Sequence, residues 1–318
     1  MQIRPFSETD YPALTRAYAE VYPAAPRSEA ELRYADGRYT PPYQHARWVA
    51  VDEHSDKLVG WAEFSQPASS YQPHKFQLEV AALQDAVPKD AALQVQVKTA
   101  LYEQLLDALG AFHPTLLKTE VDEAESAFYL AQGFAEVKKN WTLYLSLESF
   151  SEVLYGDKVS PPGYAFVSFA ELERTDAGTH ALFELLRELV TAVPSTEPRS
   201  PWSFKQFLQH RKNSPVLLPE GSLVVRYGEE LVGLSELKRT PDPGELMTSL
   251  TAVKSAFRAR GLALAVKLRT LQRAKELGFR GVHTQNASSN TRMLALNEAL
   301  GFTRQRATVE LVKHGALV

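Results

Sequence analysis

The sequence predicts a mixed α/β (α+β) fold built twice over, each copy a twisted mixed β-sheet flanked by helices. Three observations predict it. The run Leu58-Val59-Gly60-Trp61-Ala62-Glu63-Phe64 recurs as Leu231-Val232-Gly233-Leu234-Ser235-Glu236-Leu237. Each half then carries a long one-sided helix ended by glycine, and each closes a short helix on Gly-Phe, at Gly133-Phe134 and Gly301-Phe302. The offset between copies stays near 170 residues from one match to the next, so the repeat is a whole domain.

In chain order, Trp48-Val49-Ala50-Val51, a polar turn (His54-Ser55-Asp56-Lys57) and the Leu58 run predict a β-hairpin. Val97, Leu101, Leu105 and Leu109 share one helical face that Gly110 ends. Leu116-Leu117-Lys118-Thr119-Glu120-Val121 reads as the next strand, before the helix closed by Gly133. Ser149, Ser151, Ser160, Pro161, Pro162 and Gly163 weaken regular structure. This places an N-terminal domain at 1–148, a linker at 149–163 and a C-terminal domain at 164–318. The second copy repeats the order: a hairpin at Leu223-Val224-Val225 and Leu231, then a strand over 246–253. A helix with Leu264, Leu268, Leu271 and Ala274 on one face ends at Gly278, and the strand Gly281-Val282-His283-Thr284 follows. Strands followed by helices in this order imply helices packed on the sheet faces.

Composition narrows function. The chain has 318 residues, 44% of them hydrophobic, enough for two cores. A net charge of -3, from 35 basic and 38 acidic residues, gives no clustered basic surface for nucleic acid. The absence of cysteine removes disulfides, thiolate metal sites and a cysteine nucleophile; no metal site is expected. No apolar run approaches the ~20 residues of a membrane span, and Met1-Gln2-Ile3-Arg4-Pro5-Phe6 has no signal-peptide pattern. A soluble, cytoplasmic protein with no membrane partner is the expectation.

The chemistry concentrates at 251–263. A strand runs into Thr251-Ala252-Val253, a basic turn follows (Lys254-Ser255-Ala256-Phe257-Arg258-Ala259-Arg260-Gly261), and an amphipathic helix leaves through Leu262 and Ala263. Successive N–H groups at a helix start, at the positive end of its dipole, suit an anion. Gly261 permits close approach, and Arg258 and Arg260 add charge. The turn matches neither the G-x-x-x-x-G-K-[ST] nor the G-x-G-x-x-G pattern.

Arg258, Gly261 and Ala263 fit the R-x-x-G-x-G/A pyrophosphate loop of the GNAT superfamily of acyl-CoA N-acyltransferases, with Val253 five residues before the arginine as in that family. A second signature agrees: Asn286-Ala287-Ser288-Ser289-Asn290, then Met293, Asn297 and Leu300-Gly301-Phe302. The chain thus resembles the tandem GNAT proteins, of which mycothiol synthase is an example. That resemblance implies acetyl-CoA as cosubstrate and transfer of its acetyl group to a small-molecule or peptide amine. It places the coenzyme on Thr251, Ala252, Val253, Arg258, Ala259, Arg260, Gly261, Leu262, Ala263, Asn286, Asn290 and Asn297. Asn290 also reads as a helix N-cap. The general-base candidates are Glu236 and Glu245, each with a competing reading as a salt-bridged carboxylate; His283 reads as a satisfied core histidine. The family's usual acid, a tyrosine four residues before Gly-Phe, is Asn297 here and Tyr129 in the other half. An acyl-CoA binder without turnover is the alternative function.

The N-terminal copy sets Pro88-Lys89-Asp90-Ala91-Ala92-Leu93 over the 258–263 loop, and Lys118 and Asp122 over Asn286 and Asn290. Proline lacks an N–H, Asp90 repels phosphate, and Ala91 adds a methyl where Gly261 stands. This copy is expected not to hold the coenzyme. The acceptor is expected to contact the 176–207 segment, with its proline-rich loop at 194–201.

Overall fold

The computed structural model describes residues 1–22, 26–66, 71–83, 91–151, 155–156, 161–192 and 202–315. Pro88, Lys89 and Asp90, and the loop at 194–201, lie outside the described residues.

The N-terminal half runs β1 (Gln2–Pro5), α1 (Tyr11–Val21), α2 (Glu29–Asp36), β2 (His45–Val51), β3 (Leu58–Ser65), β4 (Lys75–Ala82), α3 (Ala91–Gly110), β5 (Leu116–Asp122), α4 (Ser126–Ala131) and β6 (Ala135–Ser146). The C-terminal half runs β7 (Tyr164–Ser168), α5 (Phe169–Leu172), α6 (Asp176–Thr191), α7 (Phe204–Asn213), β8 (Leu223–Tyr227), β9 (Glu230–Arg239), β10 (Glu245–Val253), α8 (Leu262–Glu276), β11 (Gly281–Ala287), α9 (Thr291–Ala299) and β12 (Thr303–His314). The two hairpins are β2–β3 and β8–β9. Asp52 folds the first turn, its Oδ1 accepting from the N–H groups of His54 and Ser55.

By compactness the chain divides into Met1–Lys139 with Thr308–Val318, and Asn140–Ala307. These units cut the chain elsewhere than the halves 1–148 and 164–318. The first unit orders its strands β1-β2-β3-β4-β5, and residues 308–314 of β12 pair antiparallel with β5. The second orders β7-β8-β9-β10-β11, and residues 140–146 of β6 pair antiparallel with β11. Each half therefore sends the end of its last strand into the other unit's sheet.

In the second unit α8 buries Leu262, Ala265, Val266, Leu268, Leu271 and Ala274 against one sheet face. Each such leucine contributes about 1.5–3 kcal/mol. Gly278, at φ 87°, ends the helix, with Phe279 N–H returning to the Ala274 carbonyl. The helices α5, α6 and α7 cover the opposite face through Phe169, Leu182, Leu185 and Phe207, packed on Val224 and Leu234. In the first unit α3 and the pair α1–α2 cover the two faces in the same way. Among the described residues, no helix is long and apolar enough to cross a membrane, and no group of three His, Cys, Asp or Glu could hold a metal.

Candidate active site

A cleft opens in the second sheet because one strand leaves its neighbour. β10 pairs in parallel with β11 from Glu245↔Gly281 to Thr248↔Thr284 and no further. Its register with β9 slips between Thr248 and Leu250, a bulge that bends the strand and increases its twist. Residues 249–253 stay with β9, so their backbone groups on the β11 side have no strand partner among the described residues. Thr251 lies on this stretch, its hydroxyl 3.0 Å from that of Ser235. Ala252 packs toward α6, and Val253 toward α8.

The turn beyond Val253 is preformed. A short 3-10 segment, Ser255–Phe257, leads to Ala259 at φ 62° and Gly261 at φ 77°. A left-handed alanine costs about 1–2 kcal/mol, so the fold spends stability on this shape. Gly261 caps α8 without a side-chain acceptor, which leaves the first-turn N–H groups around Leu262 and Ala263 free of a cap. Arg258 Nε donates to the Val253 carbonyl at 3.1 Å, tying the turn to the strand end. Arg260 donates to the Ala256 carbonyl (3.1 Å) and the Tyr164 hydroxyl (3.2 Å), and lies over the Phe257 ring. Residues 258–261 are exposed. Exposed cations and open N–H groups on a turn of this shape suit an anion.

The other wall of the cleft is polar. Asn286, near the end of β11, accepts from Asn297 Nδ2 at 2.6 Å. Asn297 is fully buried on α9, and its Oδ1 accepts from Lys267 Nζ at 2.5 Å. Lys267, on α8, is 1% exposed and 4.7 Å above the Phe302 ring. Burial pushes its ammonium down to about 7. Sequence reading missed Lys267. The available signal was a lysine three residues after Leu264 and four before Leu271, on the buried stripe. Asn290 is the N-cap of α9, its Oδ1 accepting from Met293 N–H at 3.3 Å.

The two glutamates separate. Glu236, on β9, is buried on the face covered by α6 and α7, 3.5 Å from Arg211, which also pairs with Glu173. Glu245 stands at the paired end of β10, six residues and roughly 20 Å of strand from Thr251. It holds His283 Nε2 at 2.7 Å and Arg280 at 3.5 Å. The structure does not bring Glu245 to the cleft. Beside the turn, Lys254 pairs with Glu230 (3.0 Å) and Glu188 (3.4 Å). It borders a cavity of about 660 Å³ along α6, lined also by Glu184, Arg187 and Glu229. Trp202 packs against His210.

The first unit repeats the cleft but fills it. β4 pairs with β5 only from Lys75↔Leu116 to Gln77↔Lys118. Tyr129, at the position of Asn297, puts its hydroxyl against Val80, accepting from the N–H at 3.0 Å and donating to the carbonyl at 3.3 Å. Lys118, at the position of Asn286, pairs with Glu310 at 3.0 Å. Two carboxylates face each other across β3 and β4, Glu63 and Glu79. Burial opposes ionisation of both. Arg47, 2.5 Å from Glu63 and 2.7 Å from Asp36, overrides it and holds Glu63 below its usual range. Glu79 is raised, by burial and then by Glu63, and takes a hydrogen bond from Tyr18. In the second unit the positions of Glu63 and Glu79 are Glu236 and Leu250.

Residues 180–302, which contain the turn and both cleft walls, match the acetyltransferase (GNAT) family model. That stretch of the chain is similar to the GNAT family. The fold is the one seen in tandem GNAT proteins. A tandem GNAT protein from the clavulanic acid biosynthesis pathway aligns at 18% identity over 98% of each chain, with TM-score 0.76. A GCN5-related N-acetyltransferase from Sphaerobacter thermophilus aligns at 17% identity over 98% of this chain and 95% of that one, with TM-score 0.70. A GNAT-family acetyltransferase from Colwellia psychrerythraea aligns at 13% over 99% and 100%, with TM-score 0.61. No curated protein matches the sequence. The family match supports acyl transfer from an acyl-CoA.

Proposed function

We propose that this protein transfers an acetyl group from acetyl-CoA to an amine, in the cleft between β10 and β11. The observation that carries the reading is one continuous path: unpaired backbone at 249–253 runs straight into the open, basic turn at 258–263. The turn takes the diphosphate, Thr251, Ala252 and Val253 offer backbone donors to the pantetheine and thioester, and Asn286, Asn290 and Asn297 form the facing wall. Backbone donors aimed at the thioester oxygen stabilise the tetrahedral intermediate. The N-terminal unit does not hold coenzyme in this reading, because Tyr129 occupies the matching backbone. Calorimetric titration with acetyl-CoA is expected to give one site per chain; two sites would overturn that assignment.

An amine of lysine type, with pKa ~10.4, is almost wholly protonated at neutral pH, so attack needs a base. Glu236 is the candidate, on the sheet face opposite α8. Glu236→Gln is expected to lower kcat for the acceptor about 100-fold while acetyl-CoA affinity holds within about threefold. An unchanged kcat across an amine panel would assign Glu236 to its ion pair with Arg211 alone.

Asn297 favours a second reading, since an amide cannot act as an acid. In it the protein binds acetyl-CoA and transfers nothing. Release of CoA thiol with any amine excludes it.

A further inference from the structure

We propose that Lys267 is the proton donor to the sulfur that leaves when the thioester is cleaved. The assignment rests on the coenzyme lying in the β10–β11 cleft, as proposed above. Lys267 Nζ, Asn297 and Asn286 form a hydrogen-bonded row from the buried face of α8 to the stretch of β11 that β10 no longer pairs. In the first unit the corresponding place is filled by the longer Tyr129, whose hydroxyl reaches the splayed strand. In the second unit a short asparagine stands there, and the lysine reaches in behind it.

A buried cation normally has a counter-charge. Lys267 has none: among the described residues it forms no ion pair, and its ammonium meets Asn297 Oδ1 and the Phe302 ring. The charged groups of the packed elements turn elsewhere. Glu245 and His283 pair with each other on the opposite sheet face, and Glu298 of α9 pairs with Arg304 at the surface. A site that keeps an uncompensated ammonium dry is suited to a negative charge that exists only during reaction.

In the step, the amine nitrogen bonds to the carbonyl carbon and the C–S bond breaks, its electron pair going to sulfur. The Lys267 ammonium passes a proton to that sulfur. The proton shed by the amine goes to Glu236, and Lys267 regains a proton from solvent as thiol departs. An ammonium brought to about 7 gives its proton readily to a thiolate whose conjugate thiol titrates near ~8.5.

Hydroxylamine, a neutral nucleophile near pH ~7, serves as acceptor and removes the need for a base. Thiol release from acetyl-CoA is expected to fall about 100-fold in kcat in Lys267→Met and Lys267→Gln, with calorimetric affinity for acetyl-CoA within about threefold of wild type. Lys267→Arg, charged but unable to give up its proton, is expected not to rescue. Wild-type kcat is expected to decline as pH rises above the lysine's titration, and the variants' residual rate to lack that decline. Equal kcat in wild type and variants overturns the proposal and leaves the transfer reading standing. Wild type that binds acetyl-CoA yet releases no thiol overturns the transfer reading and this assignment with it. Should the variants fail to fold, a wild-type rate still climbing above pH ~8 contradicts the proposal.

Discussion

Gly261→Val is expected to weaken acetyl-CoA binding at least ~100-fold while leaving the fold intact. Gly261 adopts φ 77°, where a β-branched residue is strained by about 1–2 kcal/mol. A Cβ built there meets nothing within 4 Å, so the valine has room in the empty protein. The cost falls on the ligand, because the new methyl groups cover the N–H groups of α8 and the strained cap pulls them out of line. About 3 kcal/mol of lost binding corresponds to that 100-fold change. Gly261→Ala, with less strain and bulk, is expected to cost about tenfold. Calorimetry gives the affinities, and thermal melting checks the fold. A valine variant that binds within threefold of wild type would place the diphosphate elsewhere.

Lys267→Met is expected to stabilise the protein at pH ~6 by up to a few kcal/mol, with the gain fading toward pH ~10.5. Burial lowers the lysine in the folded state to about 7 from 10.5. Between those values the unfolded chain holds the proton more tightly, so wild-type stability rises with pH across that window. The penalty of the buried charge is complete below about 7 and gone above about 10.5. A shift of that size corresponds to about 5 kcal/mol as an upper figure. Leaving Asn297 Oδ1 without its donor returns about 1–3 kcal/mol of it. Methionine matches the lysine stem in volume and suits an apolar helix face. Urea midpoints at pH ~6 and ~10 make the comparison; a gain that does not change with pH would show that the ammonium is not buried as a charge. A residue that destabilises the fold at working pH and does chemistry there fits a common exchange between stability and activity.

What the sequence disclosed was local. The hairpins, the glycine-ended helices and the closing Gly-Phe pairs were legible because side-chain period and left-handed glycines are written within a few residues. Gly133, Gly278 and Gly301 all take positive φ, as a chain-ending glycine suggests. The turn at 258–263 was legible for the same reason. Partners distant in sequence were not. Residues 140–146 and 308–314 each read as an ordinary strand, and nothing in them says which sheet they join. The bulge between Thr248 and Leu250 carries no glycine or proline to announce it, yet it opens the cleft. Glu245 looked like a site residue because it begins the right strand. Only the register with β11 shows that it begins the wrong end. Lys267 was written plainly on an apolar stripe, but its meaning required seeing that Asn297 meets it and that, among the described residues, no carboxylate does.

The most direct test is a crystal structure with coenzyme A bound. It is expected to show one coenzyme per chain, its diphosphate on the N–H groups that start α8 and its pantetheine along residues 249–253. Density for the diphosphate anywhere other than the 258–263 turn would contradict the account.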